Sequence, residues 1–172
     1  MPTLYTLGHS TRAFAEFLRL LAVPGIAQIA DVRTIPRSRH NPQFAQPDFE
    51  RNLHAAGIGY RHFAALGGLR HARPDSVNTG WRNLSFRGFA DYMQTPAFAE
   101  ALAELEAWAR ALPTAVVCAE AVPWRCHRSL IADALQARGW NVLDIIGLQS
   151  PKPHRATPFL RVVDGQLTYP PE

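Results

Sequence analysis

The sequence is short of several things, and each shortage excludes a class of protein. Two cysteines, Cys118 and Cys126, in 172 residues are too few for a disulfide scaffold. No apolar run approaches the roughly 20 residues that cross a bilayer, so no membrane helix is expected. Residues 1–10 have no basic stretch leading into an apolar one, so no signal peptide is expected. Together these absences place the chain in a reducing compartment, read as cytoplasmic. Lysine is nearly missing, Lys152 standing alone among 18 basic residues. No C-x-x-C pair and no H-x-x-x-H spacing occurs, so the metal-ligand signal is weak.

What is present is ordinary in amount and uneven in placement. Hydrophobic residues make up 47% and charged residues 19%, a globular mixture that excludes wholesale disorder. The length suits one well-buried core, hence one α/β domain over residues 1–172. The net charge of +4 hides a basic middle third. From Arg33 to Arg87 there are nine arginines, four histidines and three acids, a balance of +6, against −2 for the rest.

Hydrophobic periodicity predicts a β-α-β beginning. Leu4 to Leu7 is β-prone, Gly8-His9-Ser10 is a turn, and Ser10 or Thr11 is expected to cap a helix bearing Phe14, Phe17, Leu18 and Leu21. Pro24-Gly25 ends it, and Ile26 to Val32 reads as a buried strand. Parallel strands need such a crossover. A proline-rich loop follows from Arg33 to Gln46, then a short helix to Ala56, a strand at Gly59 to Phe63 and a long polar loop to Ser85. Helices are expected over Phe86 to Met93, from Pro96 to Leu112 and from Cys126 to Arg138. Buried strands are expected at Ala115 to Ala119 and Trp140 to Ile146, with a hairpin around Asp164-Gly165. The fold class predicted is α/β, a three-layer sandwich with a mostly parallel, Rossmann-like sheet of about five strands.

In such sheets, ligands bind beyond the carboxyl ends of the strands. Those ends deliver Gly8-His9-Ser10, Asp31-Val32-Arg33 and Cys118-Ala119-Glu120, with polar residues where the fold exposes them. The segment from Cys118 to Arg128 is the most informative. If Cys126 lies in the first turn of a helix beside Arg125 and Arg128, the dipole and the arginines lower its thiol pKa. Cys126 is then a candidate nucleophile or part of an anion cradle; otherwise it is a small buried cysteine beside solvated arginines. A phosphatase-type loop is disfavoured, because six residues separate Cys118 from Arg125, none is glycine, and Pro123 removes a donor.

Asp31 and Glu120 are candidates for general acid/base or orienting roles, with His9 and His127 as proton carriers. Ser10, Arg33, Arg37, Arg39, Arg125 and Arg128 are candidate anion contacts, since guanidinium forks match phosphate and carboxylate. Phe44, Tyr60, Phe63 and Trp81 are available to stack a base. The set His9, Asp31, Cys118, Glu120, Cys126 and His127 can instead form a metal site, or a plain hydrogen-bonded network in which Asp31 pairs with Arg33.

Thr6-Leu7-Gly8-His9-Ser10, Asp31-Val32-Arg33 with Pro36-Arg37-Ser38-Arg39, Leu66-Gly67-Gly68, and Cys118-Ala119-Glu120 with Cys126-His127-Arg128 occur in this order. The chain thereby resembles the bacterial domain-of-unknown-function family 488 over about residues 3–147. The resemblance implies an α/β domain with its site at these motifs, and it supplies no reaction; residues 148–172 lie outside it as a C-terminal extension. The leading expectation is an enzyme binding a phosphate-bearing small molecule or nucleotide at the carboxyl ends of the strands. A second is a non-catalytic nucleic-acid-binding module using Arg33 to Arg87, and a third is a metal-dependent enzyme using the Cys/His/carboxylate set. No cofactor is named by the sequence.

Overall fold

The computed structural model describes residues 1–172. In chain order its elements are β1 (Thr3–Gly8), α1 (Phe14–Ala22), β2 (Gln28–Asp31), α2 (Asp48–Ala55), β3 (Gly59–His62), α3 (Leu84–Tyr92) and α4 (Pro96–Ala109). There follow β4 (Thr114–Cys118), α5 (Arg128–Ala137), β5 (Asn141–Ile145), β6 (Lys152–Pro153), β7 (Arg161–Val163) and β8 (Gln166–Thr168). The sheet has six strands in the order β3-β2-β4-β1-β5-β6. The first five are mutually parallel, and only the two-residue β6 runs antiparallel, on β5. The expected sheet is therefore present with one short strand added, while β7 and β8 form the separate hairpin announced by Asp164-Gly165.

Strand alternation sorts the core into two layers. On β4, Ala115 and Val117 join an apolar cluster with Phe17, Leu20, Leu21, Phe44, Phe49 and Leu53, beneath α1 and α2. Val116 and Cys118 point the other way, into a larger cluster with residues of α3, α4 and α5. The same parity places Ile29 on the first face and Ala30 on the second, because successive side chains of a strand leave opposite sides. Helices thus cover both faces, as parallel sheets require, and no helix is long and apolar enough to cross a membrane.

The capping expectation at α1 fails. Ala13 precedes the helix with no side-chain cap, and Ser10 adopts a left-handed backbone with φ of 52°. That turn brings the amides of His9 and Ser10 to the carbonyls of Cys118 and Ala119, each at 2.9 Å, so β1 and β4 remain zipped past their ends. Gly8 is obligatory there, since a Cβ on it would lie 1.5 Å from the Glu120 carbonyl oxygen. The C-terminal segment is part of the core: Tyr169 is fully buried and Leu167 nearly so.

Candidate functional site

Strand parity also divides the polar residues. On the α1–α2 face, Asp31 is fully buried at the end of β2 and takes a two-pronged ion pair from Arg33, Nε to Oδ1 at 2.9 Å and Nη2 to Oδ2 at 2.7 Å. The Tyr60 hydroxyl donates to the same carboxylate at 2.6 Å. Burial and the adjoining Asp31 charge push the Tyr60 phenol far above its ordinary range. Arg33 Nη1 stands 3.4 Å from His9 Nε2, and the His9 ring stacks on Phe44 at 4.4 Å. Burial, with the Arg33 charge added, lowers His9 to about 4; it is neutral, and Nδ1–H donates to the Ser10 carbonyl at 2.8 Å. The plain network in which Asp31 pairs with Arg33 is what forms, so Arg33 is a buried partner of Asp31.

On the opposite face Cys118 and Cys126 meet Arg128. The sequence expectation for Cys126 needs correction. The helix begins two residues later, and Cys126 is extended, with φ of −138° and ψ of 144°, after a 3₁₀ turn at Pro123–Arg125. It therefore lacks the first-turn dipole, and burial together with the neighbouring Cys118 thiol raises its pKa well above normal. Burial works in the same direction on Cys118, but a hydrogen bond from Cys126 and the Arg128 charge outweigh it and bring Cys118 down to about 7. The more readily ionised sulfur of the pair is Cys118, which accepts from Arg128 Nη1 at 2.8 Å. Arg128 is fully buried and also donates to the carbonyls of Glu120 at 2.6 Å and Ala121 at 3.3 Å. Its guanidinium is engaged by the protein, which accounts for it without an external anion.

His127 lies on the same face as Cys126, its ring against Phe89. Its Nε2 lies 2.9 Å from the Val32 carbonyl oxygen and its Nδ1 3.5 Å from Cys126 Sγ, and burial lowers its pKa. Glu120 and Arg125 are exposed, as are Arg37 and Arg39 on the segment after β2. The predicted residues thus share the carboxyl edge of the sheet but form two buried networks with exposed charges above them. Phe44 and Phe63 are core residues and Tyr60 serves Asp31, which leaves Trp81 as the aromatic beside a cavity. No group of three or more His, Cys, Asp or Glu side chains is arranged to hold a metal ion.

Sequence reasoning missed the residues around a cavity at the carboxyl edge of the sheet. It has a volume of about 590 Å³ and lies beyond the end of β5, under the C-terminal segment, with Asp144, Ser129, Trp124, Trp81, Lys152, His154, Arg155 and Phe159 in its wall. His154 is clamped between two carboxylates, Nε2 on Asp133 Oδ1 at 2.9 Å and Nδ1 on Asp144 Oδ2 at 3.2 Å. Burial disfavours its charge, but these two partners prevail and raise it to about 9, so it is an imidazolium at neutral pH. Asp133 also accepts from Thr157 Oγ1 at 2.7 Å and from the Tyr169 hydroxyl at 2.9 Å. Asp144 accepts from Thr6 Oγ1 at 2.5 Å, and Thr6 in turn accepts from Arg128 Nε at 3.3 Å. A continuous polar chain therefore runs from Tyr169 to Cys118. Trp81 Nε1 is buried with no acceptor in the protein.

A family model described as "Domain of unknown function DUF488" matches residues 13–135. No curated protein matches, and no solved structure does.

Proposed function

The chain belongs to the DUF488 family, and on that footing we propose that it is an enzyme domain binding a phosphate-bearing small molecule or nucleotide in the cavity beyond β5. The observation that carries the reading is the wall of that cavity. It combines three aromatic side chains, Trp81, Trp124 and Phe159, with the cations Lys152 and Arg155, while the charge of His154 is taken up by Asp133 and Asp144. A volume of about 590 Å³ falls within the range of small-molecule sites. The aromatic faces suit a flat ring, and the cations suit a phosphate. The position agrees with the rule that ligands of open α/β sheets lie outside the carboxyl ends of the strands.

This reading moves the site from the one built on His9, Asp31, Arg33 and Cys126 to the next strand along. It leaves Ser10 half-buried, and Glu120, Arg37, Arg39 and Arg125 exposed, on the same edge of the sheet. Within the cavity wall Asp144 is the one carboxylate, and Thr6 and His154 orient it. Titration with ADP, followed by tryptophan fluorescence and calorimetry, tests the binding step. Saturable quenching is expected, weakened about tenfold or more when Lys152 and Arg155 are both changed to Ala, as befits lost charge-assisted bonds. Absence of saturable binding, or equal binding by the double variant, refutes the proposal.

A further inference from the structure

A second cavity, of about 420 Å³, shares no lining residue with the first and has no aromatic wall. It is lined by Arg70, His71, Arg73, Arg87 and Ser85 among eight residues, none of them acidic. We infer that this cavity is a separate anion site that takes a phosphate group. Three guanidinium groups facing one concavity repel each other, and an arrangement of that kind is stabilised by a bound anion.

The frame that holds the cations is rigid. The loop before α3 has no regular structure, yet Asp91, which is buried, fixes it at three points. It accepts from the Arg73 amide at 2.7 Å, Ser76 Oγ at 2.5 Å and Asn78 Nδ2 at 2.7 Å. The Arg70 backbone passes directly over Gly88 of α3, where a Cβ would come within 2.2 Å of the Arg70 carbonyl oxygen. Arg70 lies over the Tyr92 ring at 3.6 Å and donates to the carbonyls of Gly67 at 3.1 Å and Ala65 at 3.3 Å. Arg87 Nε donates to the Trp81 carbonyl at 3.0 Å. These bonds use one edge of each guanidinium, leaving Arg70 Nη1 and both Nη atoms of Arg87 without a protein acceptor. Arg73 Nη2 meets Asp75 at 3.2 Å in a solvent-exposed pair, the kind of contact an incoming anion displaces at little cost. The first amides of α3 are not the donors, because Asn83 Oδ1 already accepts from Ser85 at 2.8 Å and Phe86 at 3.3 Å. Recognition therefore rests on guanidinium groups, which favour phosphate oxygens with their forked geometry.

The phosphate can belong to a small molecule or to a nucleic-acid strand, and two probes separate these sources. Calorimetry with inorganic pyrophosphate at low salt, and anisotropy with an oligothymidylate of about 12 nucleotides, are run on the whole chain. Pyrophosphate binding alone assigns a small-molecule phosphate. Oligonucleotide binding, with affinity falling steeply as salt rises, assigns a strand. In either case Arg73→Glu, at an exposed side chain, weakens binding about tenfold or more, and Arg87→Gln does so too. Both probes are read in the Lys152→Ala, Arg155→Ala background, which removes phosphate binding at the cavity beyond β5, and there Arg161→Glu on the β7–β8 hairpin leaves binding unchanged. Failure of both probes to bind overturns the inference. So does an equal loss with Arg161→Glu, because the attraction would then be a diffuse effect of net charge.

Discussion

Raising the pH should release the clamp on the C-terminal segment, because His154 is held there as a cation. In the unfolded chain a histidine titrates near 6.5, whereas in the fold His154 titrates at about 9. A folded value above the unfolded one gives stabilisation that is complete below about pH 6.5, declines above it and is gone beyond about pH 9. At about 1.4 kcal/mol per pH unit, the rise from 6.5 to about 9 amounts to about 3 kcal/mol. The side chain is almost wholly buried, so solvent screening takes little from that figure. For a chain of this length, the loss lowers Tm by roughly 10 °C. Urea unfolding at pH 6 and pH 10 measures it, with His154→Gln as the reference, since glutamine retains polar contacts but cannot titrate. Wild type should lose about 3 kcal/mol more than the variant over that interval. Equal losses would refute the reasoning and mean that His154 is neutral in the fold.

Two further predictions concern the other buried charges. Asp31→Asn leaves the Arg33 guanidinium buried without a counter-charge and should cost about 3–5 kcal/mol, measured by denaturant unfolding; a cost below about 1 kcal/mol would show that Arg33 reaches water. Thiolate absorbance followed against pH should show one step near 7 that Cys118→Ser abolishes, whereas Cys126→Ala removes a hydrogen-bond donor and moves that step upward; a step near 7 that survives in Cys118→Ser would reverse the assignment.

The sheet was legible in the sequence because its strands are apolar runs bounded by Gly, Pro and charged residues, as at Ala115 to Ala119 and Ile26 to Val32. The polar strand ends were legible for the same reason. Their division between faces was also encoded, since Asp31 shares parity with Ile29, whereas Cys118 shares parity with Val116. A common edge does not make a common pocket, and two-residue periodicity separates the two faces. Cys126-His127 continues the helical pattern of α5 in sequence, but the 3₁₀ turn at Pro123–Arg125 delays the helix to Arg128.

The cavity beyond β5 was harder to see, yet α5 carries the signal for it. Every residue from Arg128 to Leu135 is buried, so this helix has no solvent face over that stretch. A helix buried all round packs on two sides, here against the sheet and beneath the segment carrying His154, Thr157 and Tyr169. Asp133 within Leu-Ile-Ala-Asp-Ala-Leu and Asp144 within Val-Leu-Asp-Ile-Ile are acids placed at buried positions. Such a position is tolerated only with partners, and the chain after Gly147 is the part of the sequence left to provide them. Lone His154, set among Pro151, Pro153 and Arg155, is the cation that both acids share. The C-terminal segment is therefore required by the charges of the core, which is why it reaches β5 and encloses the cavity at that strand's end.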